Sequence, residues 1–237
     1  MEKLYAAMIA RMKAYRESVG CTQEQFGALL GLTQGHYSRI EMLKGILSGD
    51  ALRRLAGLTG DIDYFFTGER RIWTELDDCW EKCPDPYKKD CLKLIVWAVK
   101  CGLQQSESEV RKDKSWEIAY IECWSEAEFA YSDRWRCFRK AMGLQQEKLA
   151  KALFMDIKKY RGIEKNSAKA NDDATVYARL YLAYGVRPSL LIGDEHAVLA
   201  DLNLYWREFD PEQRLFLNDF LDHGMKVLGN GEADADV

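Results

Sequence analysis

Apolar residues recur every three or four positions along nearly the whole chain. Leu4, Met8, Met12 and Tyr15 make one stripe, Phe26, Leu29 and Leu30 a second, and Leu52, Leu55 and Leu58 a third. That period belongs to amphipathic helices, and runs that alternate β-branched with polar residues are missing, so the pattern predicts an all-α chain. Only four prolines occur, and Gly20, Gly31, Gly60, Gly68, Gly143, Gly185 and Gly193 mark turns between short helices.

The pattern also occurs twice. Arg16-Glu-Ser-Val-Gly20-Cys-Thr-Gln23-Glu24-Gln-Phe26-Gly27-Ala-Leu-Leu30 aligns without a gap on Arg139-Lys-Ala-Met-Gly143-Leu-Gln-Gln146-Glu147-Lys-Leu149-Ala150-Lys-Ala-Leu153, an offset of 123. The register continues through Tyr37 and Tyr160, Ile40 and Ile163, Glu41 and Glu164. A self-similar period fixes architecture before any local reading does. Within each copy, Gln23 to Leu30 reads as one helix, Gly31-Leu32 as a turn, and Thr33 to Glu41 as the next helix, with Thr33 suited to cap it. Gly31 fits a tight turn at positive φ, and the small Gly27 lets the two helices approach. Phe154 stands where the first copy has Gly31, an unfavourable residue if φ is positive there.

These residues resemble the lambda-repressor-like helix-turn-helix family, which includes phage Cro and CI repressors and xenobiotic-response-element-type regulators. The resemblance spans about 60 residues of each copy, out to Phe65-Phe66-Thr67-Gly68-Glu69 in the first. It implies that the third helix of each copy enters the major groove of double-stranded DNA. On that reading Gln34, Gly35, Ser38 and Arg39 face base edges, where Gln suits adenine and Arg suits guanine. Gln23, Thr33 and Lys44 match phosphate-contacting positions near a helix N-terminus or loop. In the second copy Ile157 and Gly162 fall at base-facing positions, so Gln146, Lys158, Lys159 and Arg161 are expected on the phosphate backbone rather than the bases. The family also pairs an arginine of its first helix with a glutamate ending its third. Arg16 with Glu41 and Arg139 with Glu164 match that pair, each 25 residues apart.

The repeat runs on past the resemblance. Leu76, Trp80, Asp85-Pro86 and Cys91-Leu92 are matched by Leu202, Trp206, Asp210-Pro211 and Phe216-Leu217. Asp-Pro before a helical run reads as a cap followed by a first-turn proline. The segmentation expected is therefore a helix-turn-helix domain at 1–71, a hairpin at 72–103, a polar linker at 104–115, a second helix-turn-helix domain at 116–194, a second hairpin at 195–228, and a disordered tail at 229–237. The seven tryptophans are too many to face solvent and are expected mostly to pack the hairpins.

The net charge of −4 is low for a nucleic-acid binder, but it is unevenly spread. Residues 1–71 carry about +2 and 134–194 about +7, whereas 72–133 carry about −6 and 195–237 about −7. A local basic face governs phosphate binding more than the sum does. Seven scattered cysteines suit reduced thiols in a cytoplasm. Cys79, Cys83 and Cys91 match no common zinc spacing and lack a nearby histidine, so core packing is expected and no metal or cofactor. No nucleophile elbow, phosphate-cradling glycine loop or metal-spaced cluster appears, so no enzyme is expected. No apolar run approaches the roughly 20 residues a membrane helix needs.

The function expected is a sequence-specific transcriptional regulator, a repressor acting by operator occupancy. Two organisations remain open: one chain acting as a fused pseudo-dimer, or homodimerisation through the hairpins. The alternative from another class is a protein-interaction module, an antitoxin or adaptor, that keeps the fold with little DNA reading, above all in the second copy.

Overall fold

A computed structural model describes residues 1–105, 115–126, 131–165, 172–193 and 195–230. Among them every regular element is helical, and the one β feature is an isolated bridge. The chain divides into two compact units, Met1–Arg71 with Ala130–Ala197, and Ile72–Phe129 with Val198–Val237.

The first unit holds two sets of five helices. The first set is α1 (Glu2–Ser18), α2 (Gln23–Leu29), α3 (Gln34–Glu41), α4 (Gly49–Thr59) and α5 (Ile62–Thr67). Helices α2, α3 and α4 each start on a polar cap. Thr22 and Gln25 form a reciprocal capping box on α2, Thr33 caps α3 and Ser48 caps α4. Met8, Met12, Phe26, Leu30, Tyr37, Ile40, Leu52 and Phe65 meet in the core. Their spacing in the sequence is the helical period that predicted them.

Placing the rest of the chain in order gives α6 (Glu75–Lys82), α7 (Lys88–Gln105), α8 (Ser115–Glu126), α9 (Tyr131–Ala141), α10 (Gln146–Ala152), α11 (Ile157–Glu164), α12 (Ala174–Tyr184), α13 (Ser189–Ile192), α14 (Glu195–Trp206) and α15 (Pro211–Asn230). Helices α9 to α13 follow the order of α1 to α5, and the turns on either side of α2 and α10 share hydrogen bonds. Cys21 N donates to Arg16 O at 3.1 Å, and Leu144 N to Arg139 O at 3.0 Å. Leu32 N donates to Gly27 O at 2.8 Å, and Met155 N to Ala150 O at 2.9 Å. Gly31 has φ 72°, and Phe154 has φ 51°. The aromatic residue thus takes the left-handed conformation that glycine takes in the first set.

The second unit is built from α6, α7, α8, α15 and most of α14. Leu76, Trp80, Ile95, Val99, Ile121, Leu202, Trp206, Leu217 and Leu221 are buried in it. One buried polar group there is paired internally: Thr74 Oγ1 donates to Asn203 Oδ1 at 2.6 Å, and the Asn203 amide donates to Asp77 Oδ2 at 2.7 Å. Cys79, Cys83 and Cys91 are buried here as well.

Several expectations change. The compact units cut across the segmentation read from sequence. Both hairpins lie in one unit, and α8 packs against α7 there instead of opening a domain at residue 116. Of the linker expected at 104–115, residues 104–105 end α7, Ser115 starts α8, and 106–114 lie outside the described residues. Of the tail expected at 229–237, Gly229 and Asn230 are helical, and the remainder lies outside the described residues. Asp210 caps α15 as expected, accepting from Gln213 N at 2.8 Å. Asp85 does not cap α7, because Asp85–Tyr87 forms a 3-10 turn with Asp85 inside it. Trp80, Trp135 and Trp206 are buried, but Trp73 and Trp97 are more than half exposed. Trp97 lies against Phe220 with ring centroids 4.7 Å apart, so it covers the hairpin edge from outside.

Candidate nucleic-acid interface

Helix α3 has two unlike faces. Tyr37 and Ile40 are fully buried, whereas Gln34, Gly35, His36 and Arg39 are exposed and Ser38 is half-buried. The four residues expected to face bases therefore lie on the open side, with His36 added to them. Thr33 fixes the start of the helix by accepting from His36 N at 3.3 Å, so its hydroxyl oxygen is engaged in capping. After α3 the chain turns through Leu43 at φ 60°, and Lys44 N closes the end by donating to Arg39 O at 2.8 Å. The Lys44 side chain is exposed beside exposed Met42, Leu43 and Ile46.

The end of α3 is held by Glu41, whose side chain is 4% exposed. Arg16 of α1 donates through Nε at 2.7 Å and Nη2 at 3.4 Å to the two carboxylate oxygens. Gln23 of α2 donates to Oε2 at 2.7 Å. Tyr37 O–H lies beside Glu41 without hydrogen-bond geometry. Burial alone pushes the Glu41 carboxyl up, but hydrogen bonds from Arg16 and Gln23 and the neighbouring Tyr37 outweigh it and hold the carboxyl below its ordinary range. One carboxylate thereby ties three helices together.

The second set repeats this. Arg139 donates to Glu164 through Nε at 2.6 Å and Nη2 at 3.2 Å, and Gln146 donates at 2.6 Å. Tyr160 completes the arrangement with a 2.6 Å bond from its hydroxyl. The Glu164 side chain is 3% exposed. Its carboxyl is raised by burial and lowered further by these donors, for a net lowering. The arginine–glutamate pairs expected from sequence are both present.

The two glutamines expected on phosphate also take part in these braces. Gln23 and Gln146 are half-buried, and each gives one amide N–H to its glutamate, Glu41 or Glu164. The shared offset of 123 was the available signal that Gln, Arg and Glu act as one unit. On α11, Lys158 and Lys159 are exposed, and Ile157 and Gly162 are half-buried. Arg161 bends back onto α10, meeting Glu147 at 2.7 Å and Gln146 at 3.1 Å. Lys159 lies 4.0 Å from Asp173. Lys158 has no ion-pair partner among the described residues. Phe154 is 81% exposed, with the Arg179 guanidinium 5.5 Å from its ring centroid. Arg179 also donates to Leu153 O at 2.7 Å, and the matching Arg54 lies over Gly31 in the first set. Nothing in the sequence pattern pointed to these two arginines.

Residues 12–65 match a family model described as helix-turn-helix. The matched stretch runs from within α1 to α5 and contains all of α3. Comparison with curated proteins and comparison with solved structures each return no match. No helix among the described residues is long and apolar enough to cross a membrane.

Proposed function

We propose that this chain is a sequence-specific regulator of transcription that binds double-stranded DNA and represses by occupying an operator. The observation that carries this reading is α3. It exposes Gln34, Gly35 and Arg39 from a helix buried on its other side and braced at its end, inside the segment that matches the helix-turn-helix family. Base edges in the major groove are read by side chains of this kind, presented from the first turns of a rigid helix. The second set is proposed as a further copy of the same module. It repeats the turns and the Arg–Gln–Glu arrangement, and its Lys158 and Lys159 suit phosphate rather than bases.

A second reading applies to that copy alone. Its half-buried Ile157, its folded-back Arg161 and its exposed Phe154 suit a protein-binding surface better than they suit base readout. Pairing of two chains through the hairpins is the competing arrangement to a chain that acts alone, and exposed Trp97, Leu215, Phe216 and Val227 on α7 and α15 are the residues it would use. An electrophoretic shift assay on random duplexes at two salt concentrations tests the main reading. Retention that weakens steeply with salt supports it. No salt-dependent retention contradicts it and leaves the interaction module.

A further inference from the structure

The two five-helix sets meet where their fourth helices begin. Ser48 caps α4 and Asp173 caps α12, and these two residues form an isolated antiparallel bridge. Gly49 N donates to Asp172 O at 3.0 Å, and Ala174 N donates to Leu47 O at 2.9 Å. In this part of the chain the sets are offset by 125 residues, as their left-handed caps Gly60 and Gly185 fix. Leu47 therefore corresponds to Asp172, Ser48 to Asp173 and Gly49 to Ala174. Each hydrogen bond is the image of the other, and the bridge joins a position to its own counterpart.

A contact in which i meets j while j meets i is isologous and lies on a two-fold axis. Copies related by translation meet head to tail and join unlike positions instead. Side chains support the bridge from one side: Arg53 donates to Asp172 Oδ2 at 3.1 Å, and Tyr177 donates to the same oxygen. A second contact lacks an image. Asp63 accepts from Ser189 N at 3.0 Å and Ser189 Oγ at 2.6 Å, but the counterpart of Asp63 is Pro188, which has no carboxylate. The symmetry is thus local at the bridge, and the two sides differ around it.

We infer that one chain is an internally fused dimer: a single copy binds one duplex with α3 and α11 in inverted relation, at an asymmetric operator. This rests on the DNA-binding reading. A two-fold pair of reading helices suits inverted half-sites in successive major grooves, whereas a translated pair suits direct repeats. The surfaces presented are unlike. Gln34 is replaced by Ile157, Gly35 by Lys158, Ser38 by Arg161 and Arg39 by Gly162. One half-site is therefore read through bases, and the other is held through its backbone.

The test uses the full chain and a duplex recovered by in vitro selection. Sedimentation gives stoichiometry, and hydroxyl-radical footprinting gives the relation of the two contacts. The expected result is one chain per duplex, with protected stretches on opposite strands mirrored about one centre. Gly49→Val adds the decisive variant, because a Cβ at Gly49 would overlap the Asp172 carboxylate. It is expected to weaken binding about tenfold or more, since linked contacts multiply affinity, and to shrink the footprint to the half covered by α3, with helical content by circular dichroism unchanged. Two chains per duplex overturn the inference while leaving DNA binding intact. So do protections repeated in the same sense along one strand, or a Gly49→Val variant with full affinity and both protected halves. If the variant loses helical content, the stoichiometry and footprint of the unaltered chain decide alone. Absence of salt-dependent duplex binding overturns the DNA reading and this inference together.

Discussion

Glu41 and Glu164 show why a carboxylate is worth burying here. Each receives an arginine from the set's first helix and a glutamine from its second. An exposed pair such as Lys13 and Glu17, 4.0 Å apart, contributes under about 1 kcal/mol. Removing one partner of a buried pair strands the other charge and costs about 3–5 kcal/mol. Glu164→Ala and Glu41→Ala are expected to lose stability on that scale in urea melts of the full chain, and an unchanged midpoint would refute the bracing role. The pH dependence follows from the sign of the shift. Both carboxyls are lowered on folding. Their contribution is present above the ordinary glutamate value of about 4.3 and is lost as pH falls through the lowered folded value. Glu164→Gln is expected to flatten the acid limb of the stability curve below about pH 4. Two exposed residues carry opposite predictions. Arg39→Ala is expected to cost about 1–3 kcal/mol of discrimination and erase preference at one base pair, leaving non-specific binding in place; an unchanged selected consensus would count against groove entry by α3. Phe154→Gly is expected to raise stability by about 1 kcal/mol in the same urea melts, because an aromatic residue at φ 51° is strained and its ring buries little.

At the level of elements, α3 and α11 divide the work proposed for them. Replacing Lys158, Lys159 and Arg161 together with Ala is expected to weaken binding to all sequences alike. It should also lower the log–log salt slope by about 0.9 for each phosphate that is no longer neutralised. Because Arg161 and Lys159 already have acidic neighbours, Lys158 should account for most of the change. Replacing Gln34 and Arg39 should reorder sequence preference and hardly move the slope. Titrations of matched and mismatched duplexes over a salt series separate the two, and a triple variant with full affinity and slope would take α11 off the DNA. The helices themselves were legible in the sequence, because stripes such as Leu4, Met8 and Met12 report burial directly. The ion pairs were legible too, since their spacing is 25 in both sets of helices. The commitments of Gln23 and Gln146 were not. A residue at a helix start is compatible with phosphate or with a neighbouring carboxylate, and only the packing of α2 against α3 brings Glu41 within reach of Gln23.

For the whole molecule, the same limit applies to domain boundaries. Chain order suggested helix-turn-helix, hairpin, helix-turn-helix, hairpin, but the compact units collect like with like. Contacts such as Thr74 to Asn203 and Ser48 to Asp173 join residues more than a hundred positions apart, and no local pattern encodes them. The charge distribution follows this grouping: the segments with basic excess fall mainly in the first unit, and the acidic segments mainly in the second. A duplex should therefore meet only the first unit, and phosphate repulsion should keep it from the second. All of the proposed DNA binding depends on the exposed face of α3 reading double-stranded DNA. In vitro selection from a random duplex library, run in parallel with the full chain and with its Gln34→Ala/Arg39→Ala variant, tests it most directly. A strong consensus over one half-site is expected for the unaltered chain and disappearance of that consensus in the variant, with residual salt-sensitive binding in both. A library that shows no enrichment with the unaltered chain, or the same consensus from both proteins, would contradict it.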